Sequence, residues 1–409
     1  MFWEYKFKKI KQMKNEISSK NISLQYHEIH LNNCSMKIGF DAKRAFLNNT
    51  GLGNYSRNLI YLLSKHYPSN EYLLYTPKDN KDEKMRFIKE QKNITISQPK
   101  TFKDNLLRSY WRSKNIIKDL LNENIDLYHG LSHELPLGIE KTRIKSIVTI
   151  HDLIFIKYPK LFNPIDRKIY LRKCQSSCIR ANKIIAVSKQ TKSDIIKYLG
   201  IPEKKIQVVY QGCDPVFHNP IKKEKKEVII KKYKLPNNFL LSVGTIEYRK
   251  NLLTTLKALR NLTNENLVII GEGKKYKKEC LSFIKRYKLD NRTFFLSKLS
   301  AVEIAAIYQE AKILIYPSLY EGFGIPILEG IYSKTPVITS KGGCFSEVGG
   351  KQSIYIDPRS SHELTDAVIK INTDNKLKKD MIKSGREHSL NFSEEKISKQ
   401  LMKVYKSII

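Results

Sequence analysis

From residue 36 onward the chain repeats one pattern: a short apolar run, a glycine or polar turn, and then a stretch with helical spacing. The first series of runs is MKIGFD (36–41), YLLY (72–75), DLYHG (126–130), SIVTIHD (146–152), KIIAVS (183–188) and QVVY (207–210). A second follows with FLLSVG (239–244), NLVIIGEG (266–273), TFFLSKL (293–299), ILIYPS (313–318), PVITS (336–340) and SIYID (353–357). Apolar strands alternating with helices make parallel sheets covered on both faces. Two such series in tandem predict an α/β chain of two doubly wound, Rossmann-like domains. Ligands of such sheets collect at the carboxyl ends of the strands, so two facing sheets predict a cleft between domains.

Helical spacing recurs between the strands, as at Tyr55–Lys65 and Thr191–Leu199. The lysine-rich run HNPIKKEKKEV (218–228) reads as the join, giving a first domain over 36–217 and a second domain over 218–392. Residues 393–409 read as a C-terminal helix placed to cross back to the first domain. Residues 1–35 show no sustained apolar period, and regular structure is expected to begin at Met36. A length of 409 residues with 41% hydrophobic residues suffices for two ordinary cores.

Lysine and arginine outnumber the acids 74 to 40, a net charge of +34 that attracts polyanions without choosing among phosphates, nucleic acid and an anionic membrane. Nucleic-acid binding would account for the charge, but no recognition motif accompanies the basic residues. Six scattered cysteines, with one C-x3-C pair lacking a neighbouring histidine, fit reduced thiols in a cytosolic protein. The basic, aromatic N-terminus lacks the apolar core of a signal peptide, and no stretch approaches the roughly 18 apolar residues of a membrane span.

The strand ends carry the chemistry. Gly51-Leu52-Gly53 is read as a turn before a helix starting near Asn54–Tyr55, a geometry that binds anions, although it lacks the third glycine of a dinucleotide fingerprint. Arg249 and Lys250 follow the strand ending at Gly244, where paired cations can neutralise a leaving diphosphate. His151 closes another strand and suits either a sugar hydroxyl or a phosphate. In SLYEGFGIPILEG (318–330) the two glutamates are eight residues apart; a helix starting after Gly324 places Glu321 in the loop before it and Glu329 on it. There is no D-x-D and no His/Cys/Asp cluster at metal spacing, so no obligatory metal is expected.

Together GFDAKRAFLNNTGLGNYSRNL, YHGLSHELP with IHDLIF, VSKQTKSDIIKYLGIPEKKIQVVYQGCDPVF, VGTIEYRKN and SLYEGFGIPILEGIYSKTPVITSKGGCFSEVGG resemble the retaining glycosyltransferases of family four. The resemblance covers nearly all of the chain from Met36. It implies the GT-B fold, two facing Rossmann-like domains that act on a nucleotide-sugar donor and a glycan or lipid-linked glycan acceptor. It implies that Glu321 binds the donor sugar and Glu329 the nucleotide ribose. The amides of Phe323, Gly324 and Ile325 would face the diphosphate, Arg249 and Lys250 clamp it, Gly51 and Gly53 admit donor or acceptor to the backbone, and His151 contacts the sugar.

The VGT-x-E-x-RKN form looks like the subgroup rich in mannosyltransferases of bacterial surface polysaccharides, which favours GDP-mannose over UDP- and dTDP-sugars. Two departures stand out: Thr245 replaces an arginine common in the family, and Ser346 replaces the proline usual before Glu347. The resemblance further implies work at the cytoplasmic face of the membrane. Residues 102–121 are read as one amphipathic helix in which Arg108, Arg112 and Lys114 accompany Leu106, Leu107, Tyr110 and Trp111. That helix would touch anionic lipid or, failing that, pack its aromatic face on the sheet.

Overall fold

A computed structural model of the chain describes residues 35–79, 85, 88 and 90–409. The expectation for residues 1–35 therefore lies, but for Ser35, outside the described residues. Among the described residues thirteen strands form two sheets, each parallel throughout.

The first sheet contains β1 (Lys37–Asp41), β2 (Glu71–Tyr75), β3 (Ile94–Ser97), β4 (Leu127–Gly130), β5 (Lys145–Ile150), β6 (Lys183–Ala186) and β7 (Ile206–Val208), in the order β3-β2-β1-β4-β5-β6-β7. The second contains β8 (Leu240–Val243), β9 (Leu267–Ile270), β10 (Thr293–Leu296), β11 (Ile313–Tyr316), β12 (Val337–Ser340) and β13 (Ile354–Ile356), in the order β10-β9-β8-β11-β12-β13. Both orders reverse direction once, between β1 and β4 and between β8 and β11. Those switch points are where a doubly wound sheet binds its ligand.

Central strands β4, β9, β11 and β12 are buried at every residue, because helices cover both faces. One apolar layer lies on the outer face of each sheet, and a third runs continuously between the domains through Val209, Phe217 and Tyr405. The helices used below are α1 (Gly51–His66), α2 (Pro164–Arg180), α3 (Lys189–Leu199), α4 (Leu252–Asn261), α5 (Ile325–Tyr332) and α6 (Glu394–Lys406). The C-terminal α6 lies on the first domain: Glu394 pairs with Lys65 of α1 at 2.9 Å, and the Tyr405 hydroxyl lies 2.6 Å from Nδ1 of buried His129.

The structure corrects four readings. Strand β3, an edge strand of sequence ITIS with mixed burial, was not among the expected runs, since it has no apolar block to betray it. The lysine-rich run at the join is helical over Lys223–Lys232, where Lys226 pairs with Glu310 at 2.6 Å. Helix α1 begins at Gly51, not near Asn54, so Gly51 and Gly53 form its first turn. Neither has positive φ; Gly53 is required because a Cβ there would lie 1.8 Å from the Asn48 carbonyl oxygen, while at Gly51 it would meet nothing. Finally, residues 102–121 do not form one helix. Short helical segments are broken by a π-turn over Trp111–Asn115, which rotates Trp111 and Arg112 inward. Trp111 is buried and donates its indole N–H to Asp119 at 2.7 Å.

Candidate active site

The second sheet's switch point gathers the predicted donor residues. The turn after β8 carries Gly244 at φ +135°, and a Cβ there would sit 3.5 Å from the Lys250 chain. Arg249 and Lys250 occupy a single 3₁₀ turn (Tyr248–Lys250) before α4, and from there both reach the loop after β11. Each cation lies 2.7 Å from the same oxygen, Glu321 Oε1. Arg249 also donates to Glu247 at 2.5 Å and to the Tyr320 carbonyl at 2.8 Å, and Lys250 to the Tyr316 hydroxyl at 2.7 Å.

Burial would raise the Glu321 carboxyl, but the Lys250 and Arg249 charges outweigh it and hold the group down to about 2. Glu321 is ionised under all working conditions.

Gly324 caps α5 at φ +107°, a left-handed conformation open to glycine, and Ile325 and Pro326 start the helix. The amides of Phe323, Gly324 and Ile325 donate to no acceptor among the described residues. They stand at a helix N-terminus within the loop that carries Glu321, an arrangement suited to an anion. One turn on, Glu329 accepts the Tyr308 hydroxyl at 2.8 Å. Burial, with Asp214 adding to it, raises its carboxyl to about 7 against the opposing pull of Tyr308 and Lys250. The two glutamates thus have separate surroundings: Glu321 belongs to a cation cluster, Glu329 to a tyrosine.

The first domain closes on this site. A Cβ at Gly322 would lie 1.8 Å from the His151 carbonyl oxygen, so only glycine lets the loop after β11 meet the end of β5. The Thr191 hydroxyl of α3 lies 3.2 Å from the carbonyls of both His151 and Gly322. Glu347 accepts the Lys189 and Gln190 amides at 2.8 and 3.0 Å, so an acid of the second domain caps a helix of the first. The Tyr320 hydroxyl donates to Asp194 across the same boundary. These contacts hold the two switch points face to face.

His151 is buried and donates Nε2–H to the Leu131 carbonyl at 2.9 Å. Burial, then neighbouring His133, pushes it down to about 4, so the ring is neutral with its lone pair on Nδ1. Of the two expected roles, that tautomer suits accepting a sugar hydroxyl and not donating to a phosphate. His133, at φ +61°, accepts the His151 backbone N–H on its Nε2 at 2.9 Å. Tyr55 packs edge-on at 4.6 Å from the His151 ring centroid. Sequence reasoning missed His133, Tyr308 and Tyr316; only their position at strand ends or on the helix before β11 would have hinted at them. Gly51 and Gly53 lie on α1 with no direct contact to the Glu321 cluster.

Beside Gly244 the cleft widens to about 710 Å³, lined by Thr245, Tyr248, Glu272 and Tyr276 with Lys160 facing from the first domain. The space is enough for the remainder of a nucleotide. Among the described residues no three His, Cys, Asp or Glu side chains converge as a metal-ligand set.

Two parallel doubly wound domains facing across a cleft, with cations and a helix N-terminus at the second switch point, define a GT-B type architecture. The solved structures agree: a glycosyltransferase from Rickettsia africae matches with a TM-score of 0.71 at 18% identity, covering 91% of this chain and 98% of its own. The Anabaena protein HepE, solved with UDP, matches at 0.70 and 17% identity over 91% of this chain and 100% of its own. The chain belongs to the family-four glycosyltransferases. Residues 51–217 match the family model described as Glycosyltransferase Family 4, and residues 222–388 match Glycosyl transferases group 1. Among its relatives, the O-antigen chain mannosyltransferase RfbU of Salmonella typhimurium is 28% identical over 276 residues, 64% of this chain and 72% of that protein. The O-antigen chain mannosyltransferase B of Escherichia coli is 26% identical over 289 residues, 68% and 74% respectively.

Proposed function

We propose that this glycosyltransferase moves mannose from GDP-mannose, with retention, to a glycan or lipid-linked glycan acceptor in surface polysaccharide synthesis. The observation that carries the reading is the Glu321 cluster: one carboxylate fixed between Arg249 and Lys250, beside a helix N-terminus. The diphosphate lies against those cations and the amides of Phe323, Gly324 and Ile325, and they stabilise the charge that grows on it as the bond to the sugar breaks. Glu321 and Nδ1 of His151 accept hydroxyls of the sugar, and Glu329 accepts those of the ribose. Gly51 and Gly53 bring the first turn of α1 toward donor or acceptor. Domain closure through Gly322 and Glu347 excludes water and so favours transfer over hydrolysis. No side chain is assigned as a nucleophile. The mannosyltransferase relatives support the choice of sugar.

Calorimetric titration with GDP-, UDP- and dTDP-sugars tests the donor. GDP-mannose is expected to bind at least tenfold tighter than the others, and a preference for a uridine or thymidine donor would overturn the assignment. Because the protein's own cations do the work that a divalent ion does elsewhere, transfer or slow donor hydrolysis is expected to continue in EDTA. Loss of activity on chelation, with recovery in Mn²⁺ or Mg²⁺, would refute metal independence.

The reading extends to reversible contact with anionic membrane, on a surface revised by the structure. No described helix is long and apolar enough to cross a membrane. Phe102 and Leu106 are 86% and 74% exposed, and Leu107 and Tyr110 are exposed beside Lys103, Arg108 and Lys114. Apolar side chains ringed by bases suit an anionic interface, at about 1 kcal/mol per well-placed base. Arg112 leaves this surface because it is ion-paired inward. Flotation with anionic liposomes is expected to fall severalfold in Leu106→Asp/Arg108→Glu and at high salt. Equal flotation on neutral vesicles would reject the contact.

A further inference from the structure

A cavity of about 290 Å³ opens at the other switch point, at the carboxyl ends of β1 and β4. Its volume is near the lower end of small-molecule sites, roughly 300–1,000 Å³. We infer that it receives the acceptor, and that the acceptor is a hexose carrying a phosphate-type anion. The inference rests on the glycosyltransferase reading above and names the substrate class of its acceptor side.

The floor is a rigid set of hydroxyl acceptors. Arg112, turned inward by the π-turn, donates through Nε to both Asp41 oxygens at 3.1 Å and through Nη2 to Asp41 at 2.8 Å. Its Nη1 donates to Glu134 at 2.8 Å. Asp41 is 5% exposed, yet it sits beside the cavity with Glu134, and each carboxylate offers more lone pairs than Arg112 can fill. The guanidinium fork fixes both carboxylates in place, as recognition of a polyol needs. Leu135 and Leu137 supply an apolar wall, suited to the C–H face of a pyranose.

The mouth is cationic. On α2, Arg180 spends its guanidinium on the Leu135 and Pro136 carbonyls and Ser176, and Lys173 lies 3.5 Å from Glu134. Arg172 is exposed at the rim and pairs with no acid among the described residues. The surplus charge at the opening is therefore a planar, bidentate donor set whose natural partner is a phosphate oxygen pair. Glu134 directly follows His133, the residue that holds the His151 backbone N–H, so one peptide step along the chain joins the cavity wall to the proposed sugar site. A free sugar phosphate and the headgroup of a diphosphate-linked glycolipid share this chemistry.

Nucleotide binding is measured first, and absence of any binding by GDP, UDP or dTDP would sink the donor reading without touching the cavity. With the donor site saturated by the best nucleotide, or open if none binds, calorimetry follows the 1-phosphates of mannose, glucose, galactose and N-acetylglucosamine, the matching methyl glycosides, and inorganic phosphate. At least one hexose 1-phosphate is expected to bind tenfold or more tightly than its methyl glycoside and than inorganic phosphate. Arg172→Glu is expected to weaken that binding at least tenfold and Arg172→Lys less, with nucleotide affinity within twofold of wild type. Position 172 is an exposed helix site, so the fold should tolerate both changes. A prenyl-diphosphate-linked form of the same sugar then separates the sources: tighter binding marks the glycolipid, equal binding the free ester. No binding by any hexose phosphate, equal binding of phosphate and glycoside, or an unaltered Arg172→Glu variant would each overturn the inference.

Discussion

Glu321→Gln is expected to lower transfer by about two to three orders of magnitude while leaving the affinity for free nucleoside diphosphate within about threefold of wild type. The asymmetry follows from the site. The diphosphate contacts assigned to Arg249, Lys250 and the start of α5 survive the change, since Arg249 keeps Glu247 and the Tyr320 carbonyl and Lys250 keeps the Tyr316 hydroxyl. What is lost is the anion that aims both cations from one oxygen and accepts the sugar's hydroxyls. Single-turnover kinetics and nucleotide titration on the same preparation measure the two quantities. Comparable losses in both would show that Glu321 belongs to nucleotide binding and not to the sugar.

The same ion pairs carry a stability signature. The Glu321 carboxyl is held at about 2 in the folded chain against an ordinary 4.5. A depressed acid contributes stability that is present above the unfolded value and is lost as pH falls toward the folded one. A shift of that size corresponds to at most about 3 kcal/mol. Wild type should therefore lose its stability advantage over Glu321→Gln between about pH 4.5 and 2, as followed by denaturant melts.

How much of this was legible in the sequence depended on the distance between partners along the chain. Glu321 and Glu329 could be placed on loop and helix because both positions follow from one local turn at Gly324. The central strands were legible because full burial leaves a continuous apolar run. Strand β3 was not, because an edge strand needs no such run. Arg112 illustrates the remaining gap. As a base beside Trp111 in a helical stretch it read as surface, and nothing local foretold a π-turn or an acid 71 residues earlier that would draw it inward. Asp41 and Glu134 become its partners only once β1 and β4 are neighbours. Glu347 is similar: its role as a cap on α3 exists only when the two domains have closed.

Glu329 is expected to make donor binding pH-dependent near neutrality. Its carboxyl, raised to about 7 chiefly by burial, is partly protonated at pH 7, yet two ribose hydroxyls are best held by the carboxylate. Affinity for a nucleotide sugar, whose diphosphate has no ionisation in this range, should rise between pH 6 and 8 and then level off. Charge-assisted hydrogen bonds of about 1.5–3 kcal/mol set the scale, so Glu329→Gln should bind roughly tenfold to a hundredfold more weakly at pH 8 and lose the pH slope. Stability should move the other way. A carboxyl raised in the folded state costs stability when it ionises, a penalty absent below the ordinary value near 4.5 and complete above about 7. The ligand-free Gln variant should therefore match wild type at pH 4.5 and exceed it at pH 8, by up to about 3 kcal/mol. The Tyr308 hydroxyl, 2.8 Å from Glu329 Oε2, can still donate to the amide oxygen, so its loss does not confound the comparison. Superimposable affinity profiles for wild type and variant would remove Glu329 from the ribose, and a Gln variant less stable at pH 8 would show that the buried charge is better compensated than its surroundings indicate.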